Sequence, residues 1–185
     1  MGFSKINKKI TKHLYIQIKK GFTFVSTNIV IVIMKIEEVI KSNVALKDAK
    51  KVILNVMYTQ NVVNDKFNEI LKPYDLSGEQ YNVLRILRGQ KGNPANMCII
   101  QERMLAKNSN TTRLIDKLLL KDLVTRNVCP NNRRKIEVLI TQKGLDLLTE
   151  LDPKVDEHEK LFANNLSEDE ITLLNTLLEK YRTLI

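Results

Sequence analysis

The chain has 185 residues, 43% hydrophobic and 5% aromatic, with six glycines, four prolines and a formal net charge of +9. Such a chain fits one domain, or one domain with extensions, and its low glycine, proline and aromatic content points to a mainly helical protein with a real core. The two cysteines lack metal-site spacing, no phosphate loop, nucleotide fingerprint or catalytic triad occurs, and the positive charge suggests an anionic partner.

Residues 1–33 carry six lysines and no acid. Lys5, Lys8, Lys9, Lys12, Lys19 and Lys20 precede the apolar run Phe22–Ile33. A basic stretch before an apolar one resembles a secretion signal. However, no small-residue cleavage site follows, and Ser26, Thr27 and Asn28 interrupt a run already too short to span a bilayer. Acids appear directly after Met34. Met34 is therefore expected to be the natural start, with 1–33 a non-native or disordered extension outside the fold; the rival reading is a membrane-surface anchor.

From Ala45 to Leu71, Val52, Ile53, Val56, Met57, Val63, Phe67, Ile70 and Leu71 recur at helical spacing. This predicts one long helix ended by Pro73. Ser77 with Gln80 three residues on forms a capping box for a second helix, which Gly89 and Gly92 break. Pro94-Ala95-Asn96 opens a short third helix over about 98–105. Asn108 or Ser109 is expected to cap a fourth, reaching about Lys121. At about 100° per residue, Thr111, Leu114, Ile115, Leu118 and Leu119 share one side of it. Ser109, Asn110, Thr112, Arg113, Asp116 and Lys117 share the other.

Two strand-like runs follow, 123–128 and 135–140, around the turn residues Pro130-Asn131-Asn132 and a cationic tip of Arg133, Arg134 and Lys135. Helix, turn, helix and basic hairpin make a winged helix-turn-helix, which sets one helix in a DNA major groove and the hairpin beside it. Arg113 suits guanine, Asn110 suits adenine, and Ser109 and Thr112 suit phosphates or bases. The bland alternative is that Ser109 and Asn110 only cap the helix and Arg113 is a solvated charge. Asp116 would repel phosphate unless Lys117, Arg113 or a wing arginine neutralises it. Charge supports the DNA reading. Residues 72–143 hold fourteen basic and six acidic side chains, whereas 144–185 hold four basic and ten acidic.

Asn110-Thr-Thr-Arg-Leu-Ile-Asp-Lys-Leu, Lys121-Asp-Leu-Val-Thr-Arg, Asn132-Arg-Arg and Ile140-Thr-Gln-Lys-Gly144 occur in order along the chain. Together they resemble the MarR family of bacterial transcriptional regulators, over about residues 45–185. Ile140 replaces the leucine of the family's Leu-Thr-x-x-Gly element. Asn132 replaces the aspartate of its Asp-x-Arg wing motif, with Arg134 as the arginine. Asp122 stands where members often have glycine.

The resemblance implies a mainly α fold with a small β-wing: a single domain over 34–185, with dimerisation helices at 45–71 and 144–185 around a winged helix-turn-helix at 72–143. It implies a cytoplasmic homodimer that binds double-stranded DNA at a near-palindromic operator, most simply as a repressor. The implied contact residues are Ser109, Asn110, Thr112, Arg113, Lys117, Asn132, Arg133, Arg134 and Lys135. It also implies a small lipophilic or phenolic effector, or in some members a redox-active cysteine, and no cofactor or membrane partner.

After Gly144, Leu145, Leu147, Leu148 and Leu151 continue a helix expected to end at Asp152-Pro153. A last helix follows Ser167, with Ile171, Leu173, Leu174, Leu177, Leu178 and Tyr181 as its apolar stripe. Cys98 is expected to be a buried structural thiol. Cys129 lies near Arg126 and Arg133, whose charges would favour the thiolate, so it is the candidate redox position. His13 and His158 are too isolated to be ligands or a catalytic base. The remaining alternative is a winged-helix module that works through protein contacts without specific DNA binding; an enzyme is the weakest reading.

Overall fold

The computed structural model describes the backbone of residues 22–26, 29–129 and 132–183 and the side chains of 34–128 and 136–183. The chain divides into two units, Met1–Val62 and Val63–Ile185. In the first, the described residues open with strands β1 (Phe22–Ser26) and β2 (Ile29–Ile33), antiparallel with Phe22 opposite Ile33. Ile-Val-Ile-Val-Ile of β2 is rich in the β-branched residues that fit a pleated surface. A one-turn helix α1 (Ile36–Val39) follows, and Glu37 pairs with Lys51 at 2.6 Å. That hydrogen bond to Lys51 holds the Glu37 carboxyl below its ordinary range.

Helix α2 (Asp48–Leu71) has 24 residues, as its periodicity predicts. A short 3₁₀ turn, Lys72–Tyr74, takes over at Pro73. Asp75 then adopts a left-handed conformation, φ 50°, which Asp tolerates better than most residues. Helix α3 (Gly78–Arg88) starts as expected. The Ser77 N–H donates to Gln80 Oε1 at 2.9 Å and the Gln80 N–H to Ser77 Oγ at 3.3 Å. This is why Gln80 can be almost fully buried: its carbonyl already serves the cap.

Strand β3 (Ala95–Asn96), helix α4 (Met97–Arg103), helix α5 (Thr111–Leu119), strands β4 (Val124–Cys129) and β5 (Asn132–Ile140) and helix α6 (Gln142–Ala163) complete the central fold. The sheet order is β3-β5-β4, antiparallel throughout. Leu71, Val83, Leu84, Ile100, Ile115, Leu118, Val138, Leu148 and Leu151 are fully buried together. The core therefore ties α5 to the sheet and to α6. Helix α7 (Glu168–Tyr181) starts from a Ser167–Glu170 capping box, with Glu168, Asp169 and Glu170 in its first turn, where acids complement the helix dipole.

Helix α6 does not end at Pro153. It runs 22 residues through it. Pro153 has no N–H for the carbonyl one turn earlier, a loss of about 3 kcal/mol in a helix interior. Packing on both sides outweighs this. Leu148 and Leu151 before the proline and Val155 after it are buried in the same core, and Asp152 accepts two hydrogen bonds from Arg88, at 2.8 and 3.0 Å. That pairing raises the Arg88 pKa further above its usual value.

Candidate nucleic-acid interface

The turn between α4 and α5 is built from side chains. Asn96 caps α4 by accepting the Ile99 N–H at 3.0 Å. Met104, at the end of α4, is buried to 1% exposure and pins the turn to the core. Gln101 then bridges: its amide N–H donates to the Lys107 carbonyl and its oxygen accepts from the Thr111 hydroxyl. Thr111 is buried, so this bond satisfies a hydroxyl that would otherwise be stranded.

Helix α5 is capped by Asn110, whose Oδ1 accepts the Arg113 N–H at 3.1 Å. The expected caps, Asn108 and Ser109, lie in the preceding turn. Asn-Ser-Asn offers three residues able to cap, and the winner is the one directly before Thr111, the first helical residue. As a result Ser109 is outside the helix and half-buried. The bidentate pairing of Asn110 with adenine needs both ends of the amide, and one end already serves the cap.

The division of faces follows the expected pattern. Ile115 and Leu118 are fully buried, Leu114 and Leu119 half-buried, and Thr112, Arg113, Asp116 and Lys117 exposed. Arg126, on β4, donates from Nη1 to Asp116 Oδ1 at 2.7 Å. The residue that balances Asp116 is thus a strand arginine at the base of the wing, which sequence reasoning left out of the contact set. Partial alternation along 123–128 gave no reason to aim it at α5.

Past α5 the chain is gripped from two sides. Asp122 is left-handed, φ 58°. Lys121 donates to the Asp75 carboxylate at 2.7 Å and to the Asp75 carbonyl; that hydrogen bond keeps the Asp75 carboxyl below its ordinary range. From the other side, the Thr141 hydroxyl donates to the Asp122 carbonyl at 2.7 Å and accepts the Gly144 N–H at 3.1 Å. A Cβ on Gly144 would sit 2.4 Å from the Leu123 carbonyl oxygen and 2.7 Å from Ile140 Cγ1. The Ile140-Thr-x-x-Gly144 element is therefore a close backbone crossing that only glycine permits.

In the wing, Val124 pairs with Ile140 and Val128 with Ile136, with a bulge after Val128. Strand β5 begins at Asn132, so the backbone of Arg133, Arg134 and Lys135 belongs to a strand rather than to a loop tip. The side chains of Cys129, Asn132, Arg133, Arg134 and Lys135 lie outside the described residues.

Cys98 is exposed, not buried. Helix α4 starts at Met97, so Ile100 and Met104 take the core-facing positions and Cys98 turns out beside Gln101. It helps line an open cleft of about 530 Å³ with Met97, Ser109, Asn110 and Thr112. His158 lies among Phe67 and Phe162, with Nε2 3.1 Å from the Val63 carbonyl. Among the described residues, no group of His, Cys, Asp and Glu could hold a metal ion, and no helix is long and apolar enough to cross a membrane.

Comparison with known proteins gives a consistent answer. The MarR family model matches residues 76–136. The multiple antibiotic resistance protein MarR of Escherichia coli is 30% identical over 130 residues, 65% of this chain and 85% of that protein. The HTH-type transcriptional regulator MhqR of Bacillus subtilis is 27% identical over 118 residues, 64% and 80% of the respective chains. A crystal structure of a MarR transcription factor from Planctomyces limnophilus superposes with a TM-score of 0.58 at 32% identity, covering 74% of this chain and 98% of that one. A mutant of the E. coli protein complexed with operator DNA shares the fold, with a TM-score of 0.65 at 22% identity over 75% of this chain and all of that one.

Proposed function

The chain belongs to the MarR family of transcriptional regulators, and on that premise we propose that two copies clasp through α2 and α7 and bind a near-palindromic operator, with Arg113 entering the major groove. Residues 34–185 form the regulator in this reading, with 72–143 as its DNA-binding part, working in the cytoplasm. One observation supports it above the others. Helix α5 spends its whole apolar face on the chain's own core and leaves Thr112, Arg113 and Lys117 exposed together, while the one acid among them is balanced by Arg126. A twofold axis would place two such helices about one turn of DNA apart.

Arg113 pairs with guanine in this reading, and Thr112 and Lys117 meet phosphates. Asn110 caps the helix and offers only its amide N–H₂ outward. Ser109 supports the turn from its edge. Asn132, Arg133, Arg134 and Lys135 lie along the neighbouring backbone or minor groove. Bound to its operator the protein represses, and a small lipophilic or phenolic effector releases it. The relatives are transcriptional regulators, and we assign no reaction to this chain. Leu105, just after α4, and Leu120, at the C-terminal end of α5, are 88% and 87% exposed. They favour the second reading, a module that docks on a protein through apolar contacts.

The test is fluorescence anisotropy of the full chain with the intergenic DNA upstream of its own gene, against scrambled DNA, across a salt series. Tight, sequence-dependent binding with a steep salt slope is expected. Arg113→Ala with Arg134→Ala should remove the difference between the two DNAs and leave the dimer intact by sedimentation. Equal, weak binding to both DNAs by the unaltered chain would favour the protein-docking reading.

A further inference from the structure

Asp116 is an acid on the face that Arg113 occupies, and this has a consequence for sequence choice. We propose that Asp116, held by Arg126, accepts a hydrogen bond from the amino group of a cytosine in the major groove, and so selects one base pair in each half-site. The proposal rests on α5 being the helix that enters the groove.

Asp116 is three residues after Arg113 and four after Thr112, which puts all three on one stripe of the helix. It lies about 4.5 Å further along the axis than Arg113, within the span of a groove that admits a helix. All three side chains are exposed.

A bare carboxylate facing DNA is repelled by every phosphate nearby, whatever the sequence. Arg126 removes that penalty from its position on β4, across the ladder from Val138, which is fully buried. Its Nη1–H occupies Oδ1 at 2.7 Å. Among the described residues Oδ2 receives no hydrogen bond, and the Asp116 side chain remains 51% exposed with the pair formed. The pair therefore presents an oriented, charge-balanced acceptor outward.

Base chemistry then narrows the target. An ionised carboxylate only accepts hydrogen bonds. In the major groove guanine shows two acceptors and thymine an acceptor and a methyl group, so both are refused. Adenine offers an amino group, but its N7 acceptor lies alongside and repels the second oxygen. Cytosine offers the amino group alone, which suits one available oxygen.

The test uses the full chain and a pool of duplexes of randomised sequence, enriched separately by the wild type, Asp116→Ala, Asp116→Asn, Arg126→Met and the Asp116→Ala/Arg126→Met double variant. The wild type should enrich cytosine at one position per half-site, with about tenfold preference. Asp116→Ala should bind arbitrary DNA more tightly, lose that preference and keep the rest of the motif. Asp116→Asn should also lose the cytosine preference, because with its oxygen held by Arg126 the amide offers only N–H₂ donors outward. Arg126→Met should weaken binding to all duplexes, and the double variant should recover general affinity without the cytosine preference. A motif that Asp116→Ala and Asp116→Asn both reproduce position for position overturns the proposal alone. A wild-type chain that enriches no motif overturns the DNA-reading function and the proposal with it.

Discussion

Helices α5 and α7 are both amphipathic, but they dispose of their apolar sides differently. In α5, Ile115 and Leu118 are fully buried inside the chain. In α7, Leu173, Leu174, Leu177, Leu178 and Tyr181 stay 38% to 57% exposed, and no residue of the helix is buried. A helix whose apolar face is already covered needs nothing further for stability, so its polar face can be given over to recognition. A helix with its apolar face in water needs another surface. The exposed Val52, Ile53, Val56, Met57 and Tyr58 give α2 an apolar side in water as well.

The contrast can be broken most forcefully at Leu118. Leu118→Ala should cost about 2–5 kcal/mol of folding stability, read as a lower denaturant midpoint, because it leaves a cavity under α5. Leu174→Asp with Leu177→Asp should do the reverse. It should weaken the dimer by about 2–4 kcal/mol, as interface anchors do, while barely touching the core; sedimentation at several concentrations reads this as a shift to monomer. If that pair unfolds the chain instead, α7 is core and the contrast is false. Gly144→Ala tests the base of α5. The added methyl meets a carbonyl, and overpacking of about 1–3 kcal/mol is expected, with the thermal midpoint as readout.

The smallest effect is the exposed clasp at the end of α5. Lys121 holds the Asp75 carboxyl below its ordinary 3.8, so this ion pair stabilises the fold above that pH and its contribution fades as pH falls through the lowered value. The melting-point gap between wild type and Lys121→Met should be small near neutrality, since exposed pairs are screened, and should close on acidification. A gap that widened in acid would show that the two residues do not pair.

Much of this architecture was legible because it is local. Helix α2, the Ser77–Gln80 box and the two faces of α5 depend on residues a few positions apart, where periodicity and capping chemistry act. What escaped depends on distant partners. Strand β3 has two residues and exists only because Val138 and Glu137 lie opposite. Pro153 reads as a stop until Arg88 and the buried Leu151 are known to hold α6 together. The phase of α4 decides whether Cys98 is buried, and one residue of error reverses the answer. The Asp116–Arg126 pair was half legible: the sequence shows an acid in need of a counter-charge, but only the fold supplies the strand that brings it.

The crossing at Gly144 has a mechanical meaning. Because no atom can be added between Gly144 and the Leu123 carbonyl, the foot of α5 and the start of α6 are in hard contact, with little play between them. Helix α6 is 22 residues long, a rod of about 33 Å. A tilt of about 5° around that contact moves its far end by about 3 Å over such a length. Conversely, a shift of that size at the far end returns to α5 as a small rotation.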